Sequence, residues 1–197
     1  MLSDLAFLKN EGWDKQIHRH LRYSGKVLGI CGGLQMLGMR IADPHFVESR
    51  LGEAKGLGIA NFETQLGQQK VLTQVTGILH LNSSEQQVCG YEIHAGISEG
   101  PALEQPFITF EQHPNGFTHD GFISDDNQVA GTYLHGLFDT PDAVNQLVRW
   151  LEPETKLTPI DLNQHREQQL NRLADVVEKH MDIEQIINIY DTFSKEK

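Results

Sequence analysis

The stretch Lys26-Val27-Leu28-Gly29-Ile30-Cys31-Gly32-Gly33-Leu34-Gln35-Met36-Leu37-Gly38 decides how the chain is read. Residues 26–30 form a short apolar run suited to a buried parallel strand. Two glycines then break the strand, and apolar positions at helical spacing follow through Leu34, Met36, Leu37 and Ile41. Upstream, residues 3–22 carry Leu5, Leu8, Ile17 and Leu21 at helix-compatible spacing. Helix, strand, glycine turn and helix in succession are the rhythm of an α/β domain.

The turn itself has the form of a nucleophile elbow with cysteine in place of serine. A residue forced between a buried strand and a helix adopts a sharp, strained turn, and flanking glycines remove Cβ atoms that would clash there. Cys31 is then expected at a helix N-terminus, where unpaired N–H groups favour a thiolate. The N–H of Gly32 is expected to point at a substrate carbonyl oxygen. A buried structural cysteine in a glycine-rich turn is the competing reading of the motif taken alone.

A second segment bears on that choice. Val129-Ala130-Gly131-Thr132-Tyr133-Leu134-His135-Gly136 reads as a strand ending in a histidine, a candidate base for Cys31. Between the two segments the pattern changes to short strands, expected at 56–60, 70–76, 88–94, 107–110, 121–124 and 129–134, separated by turn-forming residues. Thr140-Pro141 marks a helix start and Glu152-Pro153 its end. From about Ile160 to Phe193 two apolar stripes, Leu170/Leu173/Val176/Val177/His180 and Ile183/Ile186/Ile187/Tyr190, predict a helical pair.

Composition narrows the function classes. Among 197 residues, 39% are hydrophobic and 22% charged, with a formal net charge of -11, which disfavours a nucleic-acid surface. Residues 1–15 do not read as a signal peptide, and no apolar run reaches the ~20 residues that span a membrane. Two distant cysteines, Cys31 and Cys89, fit a reducing cytoplasm. His18 and His20 stand two apart on a predicted helix and face different ways, so no metal site is expected there.

The elbow and the histidine segment together make a family resemblance specific. "GICGGLQMLG" is similar to the nucleophile segment of class I, triad-type glutamine amidotransferases, and most of all to that of the cobyric acid synthases of cobalamin biosynthesis. "IADPHFVES", "GYEIHAG" and "GTYLHGLFD" match the same family in the same order, and "LNRLADVVEKHMD" resembles its C-terminal helix. The resemblance implies a flavodoxin-like, mostly parallel sheet flanked by helices, with short added strands. An amidotransferase domain is expected over 1–152 and a helical extension over 153–197. It implies that Cys31 forms a glutamyl thioester, that His135 is the base, that the Gly32 N–H stabilises the oxyanion, and that Gln35 contacts substrate. Glu92 is a possible auxiliary residue, and His94 is ambiguous in the same way.

Two departures accompany the resemblance. Relatives commonly place a glutamate two residues after the histidine, where this chain has Leu137; the cobyric acid synthases share that difference. Cys31 also stands only thirty residues from the start, so the chain is expected to lack the domain's first strands and the upstream synthetase domain. No G-x-x-x-x-G-K-[ST] loop occurs, so no cofactor is expected in this chain. ATP and magnesium are expected only on the missing synthetase domain or partner; the expected partners are glutamine, a synthetase domain or subunit that receives ammonia and, indirectly, a corrinoid substrate. The rival readings are a catalytically incomplete remnant or structural subunit, and a cysteine hydrolase acting on another amide or ester.

Overall fold

The computed structural model describes residues 1–81, 84–155 and 162–195. In chain order the elements are α1 (Leu2–Asn10), α2 (Trp13–Arg22), β1 (Val27–Ile30), α3 (Gly32–Leu37), β2 (Arg40–Ala42), β3 (Glu53–Lys55), β4 (Glu63–Leu81) and β5 (Ser84–Glu99). There follow β6 (Ile108–Gln112), β7 (His119–Asp120), β8 (Phe122–Ile123), β9 (Val129–Thr132), β10 (Leu134–His135), α4 (Pro141–Leu151), α5 (Leu162–His180) and α6 (Ile183–Lys195). The chain divides into two units, Met1–Pro159 and Ile160–Lys197.

Within the first unit the strands make two sheets. One runs β1-β9-β8; the other runs β10-β5-β4-β2-β3, with β6 on β4 and β7 on β6. The expected α/β class holds, as a multi-stranded sheet system with helices against it. Parallel pairing is confined, among the described residues, to β1 with β9 and β2 with β4. The other pairings are antiparallel, because the long β4–β5 hairpin and its neighbours supply most of the strands. β1 has a strand partner on one side only among the described residues.

Several local expectations are corrected. The first helical stretch is two helices, since the chain turns at Glu11-Gly12 with Gly12 at φ 75°. α3 stops at Leu37, and Ile41 lies in β2. Residues 56–60 are not a strand. Their N–H groups are spent on the end of α3: Leu57 donates to the Met36 carbonyl, Ile59 and Ala60 to that of Leu37, and Gly58 to that of Gly38. A helix end leaves carbonyls without partners, and this segment satisfies them. The strands expected at 70–76 and 88–94 are the middles of much longer β4 and β5, which pair from Glu63↔Glu99 to Leu81↔Ser84. α4 begins as expected, with Pro141 in its first turn and extended backbone at Thr140, although the Thr140 side chain makes no capping bond.

Two apolar cores result. Leu2, Leu5, Leu34, Leu37, Ile41, Phe62 and Leu66 pack around α1, α3 and the start of β4. Leu79, Val88, Phe107, Ile108, Leu134, Leu137, Leu147 and Trp150 pack between the hairpin, β10 and α4. The second unit holds the expected helical pair, with the Asp182 side chain accepting from the Gln185 N–H at the start of α6. Its apolar positions Leu170, Leu173, Val176, Ile187 and Tyr190 are exposed.

The closeness of the 56–60 segment to α3 is testable. A Cβ at Gly56 would stand 2.0 Å from the Gly38 carbonyl oxygen, a main-chain atom with nowhere to move. Gly56→Ala is expected to destabilise the first unit by about 3 kcal/mol, read from urea unfolding; an unchanged midpoint would mean that the seal on α3 is loose.

Candidate functional site

The elbow is built by the first sheet. β1 pairs with β9 in parallel register up to Ile30↔Thr132, and the ladder continues one bond further, from the Cys31 N–H to the Thr132 carbonyl at 2.8 Å. α3 starts at the next residue, so Cys31 must turn the chain within a single position. It does so at φ 53°, ψ -113°, a conformation that costs a non-glycine residue about 1–3 kcal/mol. Strain of this kind concentrates at functional sites.

The partly buried Cys31 thiol donates to the Ile93 carbonyl of β5 at 3.4 Å. Burial pushes its pKa up, the Gly32 N–H pulls it down, and the charges of Glu48 and Asp120 push it further up. The helix-terminus effect expected from the sequence is therefore outweighed by desolvation. The shift favours the thiol over the thiolate.

His135 ends β10 and lies opposite Tyr91 of β5. The two rings stack with centroids 5.4 Å apart and planes 7° from parallel. Its Nε2 is buried and has no hydrogen-bond partner. A buried unpartnered nitrogen is uncommon, and each case asks for an explanation in function or in unseen solvent. Tyr91 and Ile93 are alternate residues of one strand, about 6.6 Å apart and on the same face. Cys31 and His135 thus address β5 at two neighbouring positions. No direct bond joins them in this state. Gly90 permits the arrangement, because a Cβ there would fall 2.0 Å from the His135 carbonyl oxygen.

The other expected residues are placed as follows. Gln35 is buried, and its amide donates to the Tyr133 hydroxyl at 3.1 Å. That hydroxyl bonds Ser98 Oγ at 2.7 Å, which bonds Thr64 Oγ1 at 2.7 Å. Burial is the main reason the Tyr133 phenol is pushed up to about 12. Gln35 therefore anchors α3, through the Tyr133 hydroxyl, to hydroxyls of β5 and β4. Glu92 is also buried, but its carboxylate faces His113, with Nε2 and Oε2 2.7 Å apart. Because His113 Nδ1 accepts the Asn115 N–H, Nε2 carries the proton and donates to Glu92. His94 bonds the Gly96 carbonyl through Nδ1 and stacks on Tyr133 with centroids 4.0 Å apart. Leu137 is buried in the second core. His18 and His20 each bond a main-chain carbonyl, of Leu57 and Lys26.

One residue escaped the sequence reading. Asp120 of β7 is buried, and its carboxylate accepts the Thr132 hydroxyl and the Tyr133 N–H. Burial pushes its pKa up to about 6 against those bonds. Asp120 stands just before Gly121 and reads as a turn former, so no sequence signal separates it from other loop aspartates. Together with Glu92, His94, Ser98 and Tyr133 it lines a cavity of about 150 Å³ behind the hairpin. A larger cleft of about 840 Å³ runs along the hairpin itself, past Arg40, Gln68, His94 and Phe117.

Residues 1–143 match the CobB/CobQ-like glutamine amidotransferase domain, and the chain belongs to that family. It is 48% identical over 194 residues to the cobyric acid synthase of Shewanella oneidensis, across 93% of this chain and 38% of that relative. The chain thus spans well under half the length of the curated relative it matches. Among the described residues no helix is long and apolar enough to cross a membrane.

The buried carboxylate gives a pH prediction. A carboxyl whose folded pKa exceeds its unfolded value binds more protons in the folded state, so its contribution to stability falls as pH rises through that window. For Asp120 the window runs from about 4 to about 6. The stability of the wild type relative to Asp120→Asn is expected to fall by up to about 3 kcal/mol between those limits, measured by urea unfolding at stepped pH. A difference that does not change with pH would contradict the buried state of this group.

Proposed function

We propose that this member of the CobB/CobQ-like glutamine amidotransferase family hydrolyses glutamine through a Cys31 thioester and supplies ammonia to a synthetase part. The observation that carries the reading is the strained Cys31 between β1 and α3, bonded to β5 at Ile93, two residues from Tyr91, on which the ring of His135 stacks with its Nε2 unpartnered. His135 takes the thiol proton, and the sulfur attacks the side-chain amide carbon of glutamine. The oxyanion that forms is met by the Gly32 N–H. His135 returns its proton to the departing nitrogen, and ammonia leaves. Water then adds to the thioester with His135 as base, giving glutamate and the free thiol. The sum is glutamine plus water going to glutamate plus ammonia.

Burial of the thiol suits this order of events. A group held as a thiol at rest reacts only when a base takes its proton, which protects it from random oxidation. Gln35 is one turn from Cys31, and its contact with substrate would require its amide to leave Tyr133 or to share it. The likeness to a cobyric acid synthase supports an acceptor among corrin-ring carboxylates, amidated at the expense of ATP in cobalamin biosynthesis. ATP and magnesium are assigned to the synthetase part, since this sequence has no phosphate-binding loop of the Walker type.

The test is glutamate release from glutamine by the purified chain. Cys31→Ala is expected to reduce it to background, and His135→Ala to lower kcat by at least roughly 10²-fold. Release that survives Cys31→Ala would sink the thioester reading. A wild-type chain that binds glutamine yet releases nothing would favour the incomplete-remnant reading.

A further inference from the structure

We propose that Asp120 is the positioning residue that sets Cys31 against His135. The proposal rests on the glutaminase reading above for its catalytic meaning, but its geometric content stands apart. Between the last residue of β9 and the first of β10 the chain passes from one sheet to the other at Tyr133. The polar groups of that passage converge on one carboxylate. The Thr132 hydroxyl donates to Asp120, and the Tyr133 N–H donates to both of its oxygens at 3.0 Å. The Leu134 N–H donates to Thr132 Oγ1 at 3.0 Å, so it is tied to Asp120 through one hydroxyl.

Each end of the passage carries one reacting group. Upstream, the Thr132 carbonyl accepts the Cys31 N–H at 2.8 Å and holds the elbow. Downstream, His135 follows Leu134 directly. Asp120 itself belongs to the second sheet, where β7 pairs with β6 at Ile108↔Asp120. It therefore ties the strand that holds the nucleophile to the sheet that holds the base. A carboxylate is kept buried at this place, with neutral donors for partners, where a hydroxyl or a water would satisfy the same N–H at less cost.

The chemistry explains why an amide serves badly here. Thr132 Oγ1 already accepts the Leu134 N–H, so its proton goes to Oδ2 of Asp120. The Tyr133 N–H stands 3.0 Å from both carboxylate oxygens. An asparagine oxygen in the place of Oδ2 could accept both bonds, but its NH2 would then take the place of Oδ1 and face the Tyr133 N–H, donor against donor. Asp120→Asn keeps the shape of the side chain and sets a repulsion into the tie. Because a misplacement of about 1 Å can cost roughly 10²-fold in rate, kcat should fall by that order while KM for glutamine changes little.

The experiment compares wild type, Asp120→Asn, Thr132→Val and Thr132→Ser, each checked for a cooperative thermal transition. Expected results are a kcat lower by roughly 10²-fold in Asp120→Asn and Thr132→Val with KM nearly held, and recovery of most of that loss in Thr132→Ser, which keeps the hydroxyl. If Asp120→Asn does not fold, the Thr132 pair carries the decision. A second arm reads geometry without glutamine: the rate at which iodoacetamide alkylates Cys31, followed by peptide mass so that the exposed Cys89 does not interfere. Asp120→Asn is expected to slow it as much as His135→Ala does. If no variant or wild type releases glutamate, the glutaminase reading fails while this arm still decides the proposal. A folded Asp120→Asn whose Cys31 alkylates as fast as wild type overturns it, as does a Thr132→Val with wild-type kcat.

Discussion

The parallel ladder between Val27–Ile30 and Val129–Thr132, closed by the Cys31 N–H to Thr132 carbonyl bond, is the interaction on which the site depends. It fixes where β1 must end and hence where α3 must begin. It also fixes the height at which β9 gives out and the chain crosses to the hairpin sheet. Leu34 and Leu37 of α3 are buried beneath the elbow, and segment 56–60 closes the carbonyl end of that short helix. A six-residue helix has little stability of its own, so these contacts are what keep the turn from relaxing. The strained Cys31 conformation is small beside the burial that holds it, at about 1.5–3 kcal/mol for each fully buried large apolar side chain.

The two sheets divide the groups of the proposed chemistry. The first leads into Cys31, and the second carries His135, the Ile93 carbonyl that accepts the thiol, and Glu92 with its partner His113. Polar groups at their junction are buried or half-buried and bonded to one another: Gln35, Tyr133, Ser98 and Thr64 in one series, Asp120, Thr132 and the N–H groups of the crossing in another. Networks of this kind stiffen a junction because each member loses a partner if one moves. The His135 nitrogen is the exception in its neighbourhood. Its lack of a partner distinguishes it from His113, both of whose ring nitrogens are engaged, and from His94, whose Nδ1 bonds the Gly96 carbonyl.

How much of this was legible in the sequence follows from how local each determinant is. The elbow could be read because strand, glycines and helix lie within thirteen consecutive residues. The His135 strand could be read because an apolar run ended in one titratable group. The length of the hairpin could not. Glu63, Gln65, Gln68, Gln69 and Lys70 make β4 polar, and its ladder is set by pairing with β5 rather than by propensity. Residues 56–60 looked like a strand, yet their N–H groups were claimed by a helix end twenty residues earlier. Gln35 was placed correctly beside Cys31 along the helix, but its burial against Tyr133 depends on a residue 98 positions away. Asp120 was invisible for the same reason: its meaning lies in Thr132 and Tyr133, which only the fold brings to it.

The φ of 53° at Cys31 has an implication for how such a chain changes over generations. Glycine is the residue that accepts this backbone without strain, so folding taken by itself would favour glycine at position 31. Cysteine stands there against that preference, and a lineage with no use for the thiol would gain stability by losing it. Selection for a durable fold and selection for a reactive sulfur pull in opposite directions at this one position. Decay of the activity in a descendant would therefore be recorded first at the elbow, while the hairpin and both apolar cores could stay as they are.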